Sequence, residues 1–229
     1  MASILNIDTA TRICSAALSE DGVCVAQKLD SEGKNHGKLI ASFVSELMNE
    51  AKQRNRKIDA VAISCGPGSY TGLRIGSSFA KGLCYGLDIP LIAIPTLKLI
   101  AKGFIEKQVF VDGLLCPMID ARRMEVYAAL YNPDLSEHRE TSADIIDENS
   151  YSEYLNSGKV YFLGDGSGKC QTTILHKNAI FVKDIIPLSE NMASLSEAAY
   201  QSSDFKDIAY FEPFYLKEFI STKPKNKVF

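Results

Sequence analysis

Three stretches of this sequence hold residue types that could handle an anion, a metal or a charged ligand. The first is Asp8-Thr9-Ala10-Thr11, directly after the apolar run 3–7. A carboxylate there can stand near a nucleotide's metal while hydroxyls and backbone N–H groups meet phosphate oxygens. A turn in which Asp and Thr bond their own backbone uses the same residues. The second is Gly66-Pro67-Gly68-Ser69-Tyr70-Thr71-Gly72-Leu73-Arg74-Ile75-Gly76, between an apolar run and a helical pattern. Backbone donors at such a junction attract anions. Yet a dinucleotide fingerprint needs Gly where Thr71 stands, and a P-loop needs Lys-Ser/Thr where Leu73-Arg74 follow Gly72. A nucleophile elbow around Ser69 needs Gly at Pro67. A tight connection with Ser69 or Thr71 capping the next helix is the other reading. The third stretch is Ile119-Asp120-Ala121-Arg122-Arg123-Met124-Glu125-Val126-Tyr127. Its acids and bases either hold a ligand between two lobes or tip a solvated hairpin. The glycines of Gly164-Asp165-Gly166-Ser167-Gly168 read as a turn.

Other chemistries find little support. The three histidines, His36, His138 and His176, form no i, i+4 pair and stand at no metal-site spacing from a cysteine. No nucleophile–base arrangement for a peptidase is visible. A net charge of −3 argues against a stand-alone nucleic-acid binder. The start, MASILNIDTAT, lacks the basic region of a secretory leader. No apolar stretch reaches the ~18 residues of a membrane span. Six scattered cysteines without a C-x-x-C pair fit reduced thiols. A cytoplasmic protein without a membrane anchor is expected.

These clusters need elements to position them. Apolar runs at 3–7, 13–18 and 23–29 read as strands, with Glu20-Asp21-Gly22 as a hairpin turn. Apolar residues at 39, 40, 43, 44, 47, 48 and 51 predict a helix over 36–53. A strand at 60–65, a helix at 73–87, a strand at 91–94 and a helix at 97–104 follow. The second half repeats the order: strands at 114–119, 125–131 and 137–140, a helix at 146–155, a strand at 160–163 and a helix at 169–175. No residue-level repeat accompanies it. Two β-β-β-α-β-α lobes resemble the actin-like, ribonuclease-H-like (ASKHA) α/β fold, in which nucleotide binds between lobes. The expected division is 1–105 for the first lobe, 106–217 for a reduced second lobe and 218–229 for a basic tail.

The helix over 36–53 is apolar around about half its circumference, more than the roughly 100° a one-sided helix needs. The surplus serves either its own lobe or a partner. On the next helix Gly72, Gly76 and Ala80 permit close approach, Leu73, Ala80, Leu83 and Leu87 suit the sheet, and Arg74, Ser77, Ser78 and Lys81 face elsewhere.

The segments ILNIDTAT (4–11), GPGSYTGLRIG (66–76), IDAR (119–122) with EVY (125–127), and the tail Pro213-Phe214-Tyr215-Leu216-Lys217 together resemble the TsaB (YeaZ) family, dimerization subunits of the bacterial tRNA threonylcarbamoyladenosine machinery. The resemblance implies an actin-like fold with an intact first lobe. It implies a non-catalytic subunit that heterodimerizes with TsaD, the metal-using paralogue that transfers threonylcarbamoyl to the adenosine next to the anticodon. TsaE, an ATPase, joins that pair, and tRNA is reached through the complex. The first two helices then form the partner surface, through Leu39, Ile40, Phe43, Val44 and Leu47, and through Ser69, Tyr70, Arg74, Ser77, Ser78 and Lys81. Charges at Leu39 and Phe43 are expected to abolish binding, and the same helices are free to pair as a homodimer or to leave a monomer when the partner is absent. Asp8, Thr9 and Thr11 become a vestigial phosphate-side loop, and Asp120, Arg122 and Glu125 face the interlobe cleft.

The catalytic relative carries a metal-binding His-x-x-x-His, and the corresponding stretch 94–101, IPTLKLIA, has no His. The resemblance therefore requires no cofactor of this chain, although nucleotide binding stays open. Met124 stands where many relatives have Gly. Direct tRNA contact would fall on Lys217, Lys223, Lys225 and Lys227. The competing readings are a self-sufficient actin-like ATPase or kinase and a peptidase, under which the family's glycoprotease-homologue names would be literal.

Overall fold

The structure, a computed structural model, describes residues 2–33, 35–108 and 111–217. The expected tail 218–229, with Lys223, Lys225 and Lys227, lies outside the described residues. Two five-stranded mixed sheets share one topology. In the first, β1 (Ser3–Asp8), β2 (Cys14–Glu20) and β3 (Val23–Asp30) form an antiparallel meander, and β4 (Ala60–Ser64) and β5 (Leu91–Ile94) lie parallel to β1 on its other side. The strand order is β3-β2-β1-β4-β5. In the second, β6 (Gly113–Asp120), β7 (Glu125–Tyr131), β8 (Glu137–Ile145), β9 (Lys159–Leu163) and β10 (Ala179–Phe181) repeat it as β10-β9-β6-β7-β8. The actin-like α/β architecture read from the sequence is the one observed.

Alternation along the buried strands divides each core. Leu5, Ile7, Val61 and Ile63 point to one face of the first sheet, where α1 (His36–Gln53) and α2 (Tyr70–Leu87) cover them. Ile4, Ala60, Ala62, Ile92 and Ile94 point to the other, against Leu99 of α3 (Thr96–Ile105) and Leu195, Ala199 and Tyr200 of α5 (Ala193–Gln201). The second sheet sends Met118, Val126, Ala128 and Phe162 to one side, under Tyr151 and Leu155 near α4 (Ser152–Ser157). Its opposite face meets Leu97, Ile100, Ala101 and Phe104 of α3. A helix apolar around most of its surface has to be buried on several sides. Helix α3 fills that role between the two sheets.

The structure divides the expected lobes differently at two places. The α3 helix serves both cores, and the chain from 189 returns to the first sheet through a 3-10 turn (Ser189–Met192) and α5. The second lobe's first helix is also shorter than expected. Residues 147–150 form an Asx-type turn, in which Asp147 accepts from Asn149 N–H at 2.9 Å, so helix begins only at Ser152. The helix expected at 169–175 is a 3-10 turn, Gly168–Thr172, and β8 runs on to Ile145. Among the described residues no helix is long and apolar enough to cross a membrane.

Candidate functional site

The β1–β2 turn and the glycine-rich connection after β4 interlock. Thr9 Oγ1 donates to Gly72 O at 2.8 Å, and Ser69 N–H donates to Ala10 O at 2.7 Å. A Cβ on Gly72 would lie 2.0 Å from Thr9 O, on Gly68 2.4 Å from Ala10 O, and on Gly76 2.3 Å from Thr9 Oγ1. Gly66, at φ +112°, would place a Cβ 2.5 Å from Phe214 O. Each glycine is thus required by the approach of another part of the chain. Three of the four face carbonyl oxygens of a neighbouring segment, so packing against that segment by itself accounts for glycine at these positions. Ser69, not Thr71, caps α2: its Oγ accepts Gly72 N–H at 3.3 Å.

Asp8 is fully buried at the end of β1 and does not border the interlobe cleft. Of the two readings of this turn, its contacts match the one in which Asp8 bonds local backbone. Ser64 Oγ donates to Asp8 Oδ1 in a short bond, Ala10 N–H donates to the same oxygen at 3.2 Å, and Oδ2 has no hydrogen-bond partner among the described residues. Burial pushes the carboxyl up to about 6, against the pull of Ser64, Ala10 N–H and the His36 ring. Thr9 is spent on Gly72. Thr11 borders the cleft, with its carbonyl taking a bond from His36 Nε2 at 3.0 Å.

Across the cleft, the β6–β7 turn is tied by a residue the sequence reading passed over. Lys169 Nζ donates to Asp120 Oδ1, to Arg123 O at 2.7 Å and to Glu125 O at 2.6 Å. Asp120 also accepts Arg122 N–H at 2.8 Å. Burial opposes its ionisation, but Lys169 and Arg122 hold its carboxyl below the ordinary range. Asp165 accepts Asp120 N–H at 3.1 Å, and partial burial pushes its own carboxyl upward. Arg122 and Arg123 take left-handed backbone conformations at φ +70° and +50°. Asp120 and Arg122 line the cleft, whereas Glu125 lies at its edge, paired with Lys217.

The cleft encloses about 1100 Å³ between the two turns, the start of α2 and the segment 214–217. It therefore gathers Thr11, Ser69, Tyr70, Asp120 and Arg122 from distant parts of the sequence. The signal for the C-terminal wall was present in Pro213-Phe214-Tyr215-Leu216-Lys217; the signal for Lys169 was only its position after a glycine turn.

The expected partner surface separates into inner and outer residues. Ile40, Val44 and Leu47 lie in the first core, and Ser77 is buried, so these four offer nothing to a partner. The surplus apolar arc of α1 is used within its own lobe. Leu39 and Phe43 are half-buried against that core, so a charge at either disturbs folding as well as any contact. Ser69, Arg74 and Ser78 are exposed. Lys81 donates to Ala209 O and Phe211 O, and the Tyr70 ring meets Tyr215, so both are engaged by the chain's own C-terminal segment. Sequence reasoning missed Tyr85, which is 84% exposed on α2 beside Gly82 and Gly86, both of which face open space.

Comparison with known proteins bears on this architecture. The family model described as TsaD, tRNA N6-adenosine threonylcarbamoyltransferase, matches residues 29–218. The tRNA threonylcarbamoyladenosine biosynthesis protein TsaB of Escherichia coli is 30% identical over 96% of this chain and 96% of its own length. TsaB of Bacillus subtilis is 36% identical over 129 residues, 56% of this chain and 55% of that protein, so this match spans about half of that relative. YeaZ from Pseudomonas aeruginosa superposes with a TM-score of 0.81 at 24% identity, covering 94% of this chain and all of that one, a likeness in fold.

Proposed function

The chain belongs to the TsaB family and matches the wider TsaD model, and from that premise we propose that it serves tRNA threonylcarbamoyladenosine biosynthesis as a non-catalytic subunit that heterodimerizes with TsaD. The observation that carries the reading is the TsaB match across nearly the full length of both chains. TsaE and tRNA are reached through that complex, in the cytoplasm.

The site's chemistry supports a structural role. The glycine-rich connection is committed to packing against Thr9, Ala10 and Phe214, and Asp8 is turned inward. A self-sufficient ATPase or kinase would instead need that carboxylate turned toward its ligand's metal. The outer face of α2 is the docking surface in this reading. Arg74, Ser78, Gly82 and Tyr85 are exposed along it, and Gly82 and Gly86 leave room for a second helix to approach closely.

Mixing the purified chain with TsaD of the same source, with light scattering of each alone and together, tests the pairing. A one-to-one complex is expected. Two separate species at tens of micromolar would reject it. Gly82→Arg and Tyr85→Glu replace the Leu39 and Phe43 lesions as the test of the surface, because both alter exposed positions and leave the core intact. Each is expected to weaken the complex at least tenfold while the isolated chain keeps its melting temperature within a few degrees. Full affinity in both folded variants would move the interface elsewhere.

A further inference from the structure

The segment from Lys206 to Lys217 crosses from one lobe to the other, and its two ends are held unequally. At the first lobe the hold is dense. Lys206 N–H donates to Leu91 O at 2.8 Å, and Ile208 and Phe211 pack on the first core. Lys81 Nζ donates to Ala209 O at 3.3 Å and to Phe211 O at 3.1 Å. Phe214 N–H donates to Cys65 O at 2.7 Å, and Phe214 O occupies the space a side chain on Gly66 would need. Past Phe214 the hold thins. The Tyr215 ring leans on Tyr70 with centroids 4.9 Å apart, and Lys217 pairs with Glu125 on the second lobe.

We infer that residues 215–217 are a releasable clasp forming one wall of the interlobe cleft, hinged at Phe214 and fastened by the Lys217–Glu125 pair. Phe214, Tyr215, Leu216 and Lys217 all line the cleft, so this stretch is one of its walls. A permanent wall would be fastened at both lobes. Here the second-lobe fastening among the described residues is an ion pair whose lysine side chain is 46% exposed and whose glutamate is 21% exposed, and pairs open to solvent contribute little and weaken with salt. Because α3 joins the two sheets through shared cores, opening the clasp changes access to the cleft and leaves the lobes in place.

A reporter thiol in the cleft tests it. Ala121 lines the cleft and is replaced by cysteine, and alkylation at position 121 is followed by peptide mass spectrometry. Cys14 and Cys116, both fully buried, must stay unreactive in every variant, which verifies folding. In the A121C background, K217E and E125K are each expected to speed alkylation about two- to fivefold, the change that breaking an exposed ion pair brings. The charge-swapped K217E/E125K chain is expected to return to the starting rate. Salt at about 1 M is expected to speed the A121C chain and leave the single variants unchanged. Lys217→Met, at an exposed position, replaces K217E or E125K if either fails the folding control. Single variants that alkylate at the starting rate, or a swapped pair that stays fast, would overturn the clasp.

Discussion

At the residue scale the least ordinary group is Asp8. Its carboxyl is buried at the end of a strand, and among the described residues only Oδ1 has a hydrogen-bond partner. Burial raises it from an ordinary 3.8 to about 6, so the folded chain holds a proton that the unfolded chain releases across that window. Stability therefore falls as pH rises from about 4 to 6 and is level above, and a gap of about two pH units corresponds to about 3 kcal/mol. Asp8→Asn can keep one oxygen as acceptor for Ser64 and Ala10 N–H without the buried charge. It is expected to unfold at higher urea than the wild type at pH 7, with the two curves converging near pH 4. A wild type more stable than D8N at pH 7 would mean that the anion has a use these contacts do not provide.

At the element scale α2 has two kinds of glycine. Gly72 and Gly76 lie where the β1–β2 turn presses on the helix; Gly82 lies where nothing approaches within 4 Å. Gly72→Ala would force Thr9 away from the helix start, and a melt should show a loss of more than about 3 kcal/mol. Gly82→Ala removes backbone freedom at no steric cost, and the same melt should show a gain of about 0.5–1 kcal/mol. Should both changes move stability in the same direction, the interlock of turn and helix is not what holds this connection. Part of this helix is legible in the sequence: GPGSYTGLRIG reads as a tight strand-to-helix junction capped by Ser69 or Thr71, although the helix starts at Tyr70 and not at 73. The direction in which the glycines looked was not legible, because an N–H donor facing a phosphate and a missing Cβ facing a carbonyl leave the same letters. The apolar arc of α1 misled for a related reason. Periodicity counts apolar positions but does not say whether a neighbouring element of the same lobe covers them, and Ile40, Val44 and Leu47 are covered.

At the scale of the whole molecule, α3 ties the lobes into one unit. Leu99 belongs to the core of the first sheet, and Ile100 to that of the second. Leu99→Ala and Ile100→Ala should each cost about 2–5 kcal/mol. Because the helix is shared, each should lower the urea midpoint of both lobes together, as followed by hydrogen exchange in β4 and in β9. Two separated transitions in the wild type would show that the lobes fold independently. The sequence by itself determined the order of the elements from β1 to β9, the near-repeat of that order in the second lobe and the family, because these depend on local periodicity and on short specific motifs. Only the tertiary structure decided that Asp8 turns inward, that Lys169 ties the second-lobe turn, that α5 returns to the first sheet and that the last described residues wall the cleft. Those features arise from contacts between segments tens of residues apart, and burial, hydrogen-bond partners and close approach are properties of pairs that no single stretch of sequence contains.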